Sequence, residues 1–242
     1  MKFTLKKLSL SILATSLLSL PALAHEGDDP LLAKVMIDQL EWRDTEDANN
    51  QSIDTYVLEG QAWIGKDLNK FWLKTDVEYV DGETEEAEIQ ALYSRAIAPF
   101  WDVQIGVRQD LKPEPTREWG VIGIEGLAPY YFEVDAALFI GESGATAARI
   151  SAEYEWMLTQ KLVLSPEVSL NFYGQNDSEY QTGSGLSDVN LGLRLRYEIR
   201  REFAPYIGVN WSKSYGNTAD YVREHGEEVS DAQAVAGVRV WF

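Results

Sequence analysis

Alternation of apolar and polar residues with a period of two dominates this chain and predicts β-strands. Between Ala148 and Trp156 every even position is apolar or aromatic, while the odd positions hold arginine, serine and glutamate. Segments with this pattern number about twelve, and most are near the ~9–11 residues that a tilted strand needs to cross a membrane. They are 34–43, 53–64, 70–80, 86–95, 100–109, 118–126, 131–140, 146–156, 161–173, 187–199, 203–213 and 231–242. The first two alternate poorly, so a count of ten strands also fits.

The segments between these strands alternate in length, which predicts an antiparallel up-and-down barrel. The connections after even strands are short, namely 65–69, 96–99, 127–130, 157–160 and 200–202. Those after odd strands are mostly longer and polar, namely 44–52, 81–85, 110–117, 174–186 and 214–230, with 141–145 as the exception. Outer-membrane barrels have an even number of strands, short periplasmic turns and longer outer loops. The fold expected is therefore an all-β transmembrane barrel with both termini in the periplasm of a Gram-negative bacterium.

The two ends of the chain predict export and assembly. A positively charged start, an apolar stretch at 8–20 and the tetrapeptide Pro21–Ala24 predict a leader that is cleaved after Ala24. Residues 25–33 would then form a short acidic tail, and 34–242 the barrel. The last strand ends on Phe242, like the terminal aromatic signal of outer-membrane barrels. The barrel assembly machinery is therefore an expected partner.

The amino-acid composition excludes some classes of protein and some types of binding site. The formal net charge is −18, and loss of a leader with three Lys and no acid makes it −21, which argues against nucleic-acid binding. The absence of Cys excludes a disulfide framework and thiolate metal sites. Aromatic pairs at predicted strand ends, such as Phe71-Trp72 and Phe172-Tyr173, fit the girdles that meet lipid headgroups. Outer-membrane lipid is thus an expected partner, and a soluble periplasmic β-protein is the alternative.

Charged residues at the polar positions of the strands are expected to face the lumen. On the lipid face, Arg or Lys would cost about 2–4 kcal/mol at the midplane. Both signs are present, so neighbouring strands can pair them in a network. The residues predicted for it are Glu133, Asp135, Arg149, Glu153, Glu155, Glu167, Arg194, Arg196 and Glu198. Whether they plug the barrel or line a path for solutes stays open at this stage.

Four stretches resemble the copper resistance protein B family of outer-membrane proteins. They are Leu92–Asp102, Gly126–Tyr130, Leu195–Gly208 and Gly237–Phe242. The resemblance extends over about 42–242, and it implies a role in copper tolerance and homeostasis, with copper as the bound or excluded ion. It also implies periplasmic copper-binding proteins as partners. Members of this family commonly carry a Met- and His-rich segment before the barrel, whereas residues 25–33 contain one His and no Met.

Candidate metal ligands are therefore few. His25 would be the mature amino terminus, where its α-amine and imidazole suit Cu(II) beside Glu26 and Asp28. His225, next to Glu224 in a predicted outer loop, is the second candidate for a divalent cation. The alternatives are an ordinary acidic tail and a solvated loop.

Catalytic motifs are not recognisable. Some outer-membrane barrels are phospholipases that use Ser and His on the barrel wall. Here the chain has only two His, neither on a predicted strand, and no nucleotide or zinc motif. The protein is expected not to be an enzyme. A general small-solute channel is the alternative to copper resistance.

Overall fold

The alternating segments form one antiparallel sheet in the computed structural model, which describes residues 29–46, 52–226 and 228–242. The compact unit is Leu31–Phe242, and only Asp29 and Pro30 are described before it. The strands are β1 (Leu32–Glu46), β2 (Ser52–Lys66), β3 (Asn69–Val80), β4 (Glu83–Ala98), β5 (Trp101–Lys112), β6 (Arg117–Ala128), β7 (Phe132–Gly141), β8 (Thr146–Tyr154), β9 (Trp156–Met157), β10 (Leu162–Tyr173), β11 (Gly185–Tyr197), β12 (Phe203–Ser214) and β13 (Ser230–Trp241). One α-helix, α1 (Gly216–Glu224), and two 3₁₀ turns, Pro129–Tyr131 and Glu142–Gly144, lie in connections.

The sheet closes on itself into a barrel of twelve strand positions. The short β9 pairs with β10 beside β8, so β8 and β9 share one position. Closure joins β1 to β13, with Met36 opposite Trp241. At this seam Val35 N donates to Phe242 O at 3.1 Å, and Phe242 N donates to Val35 O at 2.9 Å. Closure leaves no unpaired edge, as a lipid environment requires.

The connections fall at two different ends of the barrel. The turn end carries the short connections after β2, β4, β6, β9 and β11, and the loop end carries those after β1, β3, β5, β7, β10 and β12. The predicted loop 81–85 is wrong, because Asp81 and Gly82 alone form the turn, with φ of 46° and 93°. The predicted loop 214–230 contains α1, which the alternation gave no reason to expect. The length rule for such barrels predicts that the turn end faces the periplasm.

The two faces of the sheet differ as the alternation predicts. Ile105, Val107 and Ile207 are exposed on the outer face, while Gln104 and Asn210 are buried on the inner face. No helix in the described ranges is long and apolar enough to span a membrane. An apolar surface around a polar interior is the arrangement of a barrel that lies in lipid.

A small apolar cluster occupies part of the interior. Leu92, Trp119, Val121 and Phe139 are buried together there, on β4, β6 and β7. The Arg108 and Arg149 guanidinium carbons lie 4.9 and 5.9 Å from the centre of the Phe139 ring. The interior therefore combines packed side chains with charged groups instead of forming a wide open pore.

Candidate functional site

The lumen is the main concave feature among the described residues. It encloses a cavity of about 1000 Å³ whose lining includes thirteen carboxylates and nine basic side chains. Most of these groups come from positions that face inward on the strands. The lining is thus strongly polar, with an excess of negative charge.

Arg194 forms the most buried ion pair of the lumen, with Glu41. Its Nε donates to Glu41 Oε2 at 2.7 Å, and its two terminal nitrogens donate to Glu167 Oε2 at 2.8 Å and Gln39 Oε1 at 2.9 Å. Arg43 Nε lies 2.8 Å from the other oxygen of Glu41. Glu41 and Gln39 are on β1, Glu167 on β10 and Arg194 on β11. Since β12 and β13 lie between β11 and β1, this Arg194 group ties together strands that are not neighbours.

Two glycines leave room for this guanidinium. A Cβ on Gly192 would overlap Arg194 Nη1, and it would lie 3.5 Å from Glu167 Oε2. A Cβ on Gly208, in the next strand, would lie 3.1 Å from Arg194 Cγ and would overlap the carbonyl oxygen of Leu193. A larger residue at Gly192 would therefore push the guanidinium away from its acceptors.

Glu88 is the centre of a second group. It accepts from both terminal nitrogens of Arg149, each at 3.0 Å, and from Gln90 Nε2 at 2.8 Å. Arg108 Nη2 lies 2.8 Å from Glu88 Oε2, and Arg108 Nε lies 2.6 Å from Asp110 Oδ1. Arg149 is on β8 and Glu88 on β4, with β5, β6 and β7 between them. The Arg149 group therefore also spans the lumen.

Lys74 and Arg239 form two further groups. Lys74 Nζ lies 2.9 Å from Glu125 Oε2 and 2.7 Å from Asp135 Oδ2. Arg239 Nη1 lies 2.8 Å from Glu155 Oε1, which Arg196 also contacts. These pairs connect β3 with β6 and β7, and β13 with the segment after β8. In all four groups, ion pairs link non-adjacent strands across the interior.

The residues that were predicted to form the charge network differ in the ion pairs that they make. Asp135, Arg149, Glu155, Glu167, Arg194 and Arg196 belong to the groups above. Glu153 lies 3.9 Å from Arg196. Glu133 lines the cavity without an ion pair to any described residue, and Glu198 follows the end of β11, also without one. The sequence reasoning missed Glu41 and Glu88, the acids that pair with Arg194 and Arg149.

One wall of the cavity carries carboxylates that have no ion pair within the described ranges. They are Glu59 on β2, Asp76 and Glu78 on β3, and Glu86 on β4. Glu59 lies opposite Asp76 in the sheet register, and Glu78 lies opposite Glu86. Like charges directly opposite each other repel. This acidic wall therefore makes the lumen more favourable for cations than for anions.

The predicted metal ligands are not brought together. His225 follows α1 and is exposed, its Nδ1 donates to Tyr221 O at 2.9 Å, and Glu224 is exposed beside it. No group of three or more His, Cys, Asp or Glu side chains suited to a metal ion occurs in the part of the chain that the structure describes. His25, Glu26 and Asp28 lie outside the described residues, as does the predicted leader. Copper binding by the tail stays a prediction, as does the assembly role of Phe242.

Comparison with known proteins identifies the family. The family model for the copper resistance protein B precursor matches residues 31–242. A copper resistance protein B homolog of Pseudomonas syringae pv. tomato is 47% identical over 223 residues, which are 90% of this chain and 74% of that protein. Copper resistance protein B of Escherichia coli is 46% identical over 208 residues, which are 86% of this chain and 69% of that protein.

A solved structure shares the fold. The NanC porin superposes with a TM-score of 0.56 at 13% identity, over 86% of this chain and 99% of that one. With this porin-like barrel, the family match places the protein in the outer membrane of a Gram-negative bacterium. The chain belongs to the copper resistance protein B family.

Proposed function

We propose that this barrel contributes to copper resistance by restricting passage through its lumen, and that the barrel itself does not hold copper. The family and its two relatives carry copper resistance in their names. The observation that supports restricted passage is the set of ion pairs across the interior, above all those of Arg194 and Arg149. Each of them fixes a long side chain across the space that a solute would use. Both the family and the porin-like fold suggest a protein without enzymatic activity.

The chemistry of the donors argues against a resident copper ion in the barrel. Copper is selected by thiolate, thioether and imidazole ligands. The described residues offer Met36, Met157 and His225. Met157 is on β9 at the turn end, and His225 follows α1 at the loop end. Those two side chains lie at opposite ends of the barrel, so they cannot share one ion.

The lining nevertheless suits cations in transit. A cleft lined by one sign of charge raises the local concentration of the opposite ion. The acidic wall of Glu59, Asp76, Glu78 and Glu86 supplies that charge. Hydrated cations are therefore expected to enter more readily than anions, while the ion pairs limit the rate. A general small-solute channel is the second candidate, because the fold resembles that of a porin.

A deletion strain complemented with variants tests the proposal. Arg149→Met removes the pair with Glu88, so cells carrying it should accumulate more periplasmic copper and stop growing at lower copper than wild type. Glu83→Gln, at an exposed site at the loop end, should behave as wild type. Copper in cell fractions and growth on graded copper are the measurements.

Two results would contradict restricted passage. If a mature chain that starts at Glu26 loses copper tolerance as fully as the deletion strain, binding at His25 is the mechanism instead. If Arg149→Met raises the uptake of neutral sugars as much as that of copper, the lumen is a general channel.

A further inference from the structure

The connection between β10 and β11, residues 174–184, turns inward over the loop end of the barrel. We call it the lid segment. Its residues Tyr180, Gln181 and Thr182 line the cavity, together with Thr218 of α1 and Pro113 from the connection between β5 and β6. Lining residues thus come from three separate loop-end connections. The lumen is covered at this end by chain from outside the sheet.

The tip of the lid segment is held by Tyr180, through its ring and through its hydroxyl. The Arg117 guanidinium carbon lies 3.6 Å from the centre of the Tyr180 ring, and the Tyr180 hydroxyl donates to Pro115 O. Arg117 also lies 5.2 Å from the centre of the Trp119 ring, and its Nη2 is 3.2 Å from Asp110 Oδ2. The guanidinium therefore contacts two rings and is anchored at the start of β6. Tyr180 docks on a rigid partner.

The base of the lid segment has a different anchor. Gly183 N donates to Thr218 Oγ1 at 2.8 Å, and Asn217 Nδ2 donates to Asn176 Oδ1 at 2.9 Å. Thr218 also lies 3.0 Å from Ser187 Oγ on β11. The base is thus fixed to α1, independently of Tyr180. Loss of the Tyr180 contacts would therefore loosen the tip, which keeps the 3.5 Å contact between Gln181 and His225, without releasing the base.

A short loop-end connection between β6 and β10 leaves space for the tip of the lid segment to reach β6. In the barrel order, β7 and β8 lie between β6 and β10. Their loop-end connection is only the 3₁₀ turn Glu142–Gly144 with Ala145. This connection has four residues, whereas the lid segment has eleven. A longer loop there would occupy the space that the lid segment crosses.

The closed position leaves polar groups unsatisfied. Thr182 Oγ1 and Arg117 Nε are buried without a hydrogen-bond partner among the described residues. Gln181 has a φ of 54°, in the left-handed region that non-glycine residues seldom adopt. Both features oppose closure, so the Tyr180 contact has to offset them. We propose that the lid segment is a gate at the loop end and that docking of Tyr180 on Arg117 holds it closed.

This gate deepens the proposed function, because it controls access to the same lumen. Labelling of a single cysteine tests it directly, since the chain has no Cys of its own. Ser169→Cys places a thiol on β10 in the cavity lining, where a small charged maleimide must enter to react. In purified full-length protein, adding Tyr180→Ala should speed this labelling about tenfold, the order expected from loss of one ring–guanidinium contact. Tyr180→Phe keeps the ring contact but loses the hydrogen bond to Pro115 O, so it should speed labelling less than Tyr180→Ala does.

The controls keep the result decisive. Glu83→Cys, exposed at the loop end, should react equally fast with and without Tyr180→Ala. Arg117→Lys, which keeps the charge beside Asp110 but loses the planar contact, should also speed labelling at Ser169→Cys. Equal rates in the Tyr180→Ala and parent proteins would overturn the gate. Faster labelling with unchanged copper tolerance would support the gate and contradict the proposed function, because the labelling requires no copper.

Discussion

The Arg194 group and the Lys74 group use the same chemistry in different surroundings. In the first, the Glu41 side chain is 0% exposed and that of Arg194 is 9% exposed. In the second, the Glu125 and Asp135 side chains are 32% and 34% exposed. The guanidinium also makes a forked contact with Glu41 and bonds to two other acceptors, whereas the ammonium of Lys74 acts as a point charge. The Arg194–Glu41 pair is shielded from water, whereas the acids that pair with Lys74 are partly solvated.

The difference in burial determines what each group can do. A buried charge that loses its partner is left uncompensated, so Arg194 and Glu41 depend on each other. A solvated pair is screened and contributes little to stability. We therefore expect the Arg194 group to hold the barrel closed and rigid. The Lys74 group is expected mainly to shape the charge of the lumen.

Glu41→Gln should have the largest effect on stability. It removes the fully buried carboxylate of the group and leaves Arg194 with the partly exposed Glu167 as its carboxylate partner. The free energy of unfolding should fall by about 3–5 kcal/mol. Urea unfolding in lipid vesicles, followed by tryptophan fluorescence, measures it. The double variant Glu41→Gln with Arg194→Met should recover much of the loss. A loss below about 1 kcal/mol in the single variant would show that water compensates the charge.

Arg149→Met should have a smaller effect on stability and a clear one on conductance. Glu88 keeps Arg108 and Gln90 as partners, so the loss is expected to be about 1.5–3 kcal/mol. Removal of this tie between β8 and β4 should raise the single-channel conductance in planar bilayers. Glu83→Gln serves as the matched control. Unchanged conductance would mean that the Arg149 group does not obstruct the lumen.

Gly192→Ala tests whether the position of the Arg194 guanidinium matters as well as its charge. The added methyl would overlap Nη1, and overpacking of this kind destabilises by about 1–3 kcal/mol. Gly120→Ala is the control, because the nearest atom to a Cβ there is 3.7 Å away. If both variants unfold like the wild type, the guanidinium can move without loss of its contacts.

Much of the barrel could be predicted from sequence because alternation reports directly which face of a strand is buried. The predicted span 161–173 and the observed Leu162–Tyr173 differ by one residue. Alternation failed at Glu41 because the pairing register of β1 shifts between Ile37 and Leu40, which reverses the inward positions. It was ambiguous at Glu88 because the start of β4 carries acids at both odd and even positions.

The partners of these charges could not be predicted in the same way. Alternation can show that a residue such as Arg149 faces the lumen, but it does not show which residue it contacts there. The contact between Arg149 and Glu88 depends on the curvature that brings β8 opposite β4. The lid segment was likewise out of reach. Its docking on Arg117 is set by the short connection between β7 and β8, and no periodic pattern records it.

Lys74→Met should have the smallest effect and should respond most to salt. Glu125 retains Gln104 as a donor at 2.7 Å, and the pairs of Lys74 are partly solvated, so the loss of stability should be at most about 1 kcal/mol. Raising the salt from about 0.05 to 1 M shortens the screening length to about 3 Å, and the difference from wild type should then disappear. The loss caused by Glu41→Gln should persist at both salt concentrations, because that pair is shielded from solvent. If the two variants respond to salt alike, burial does not separate the two groups, and the Arg194 group is also solvated.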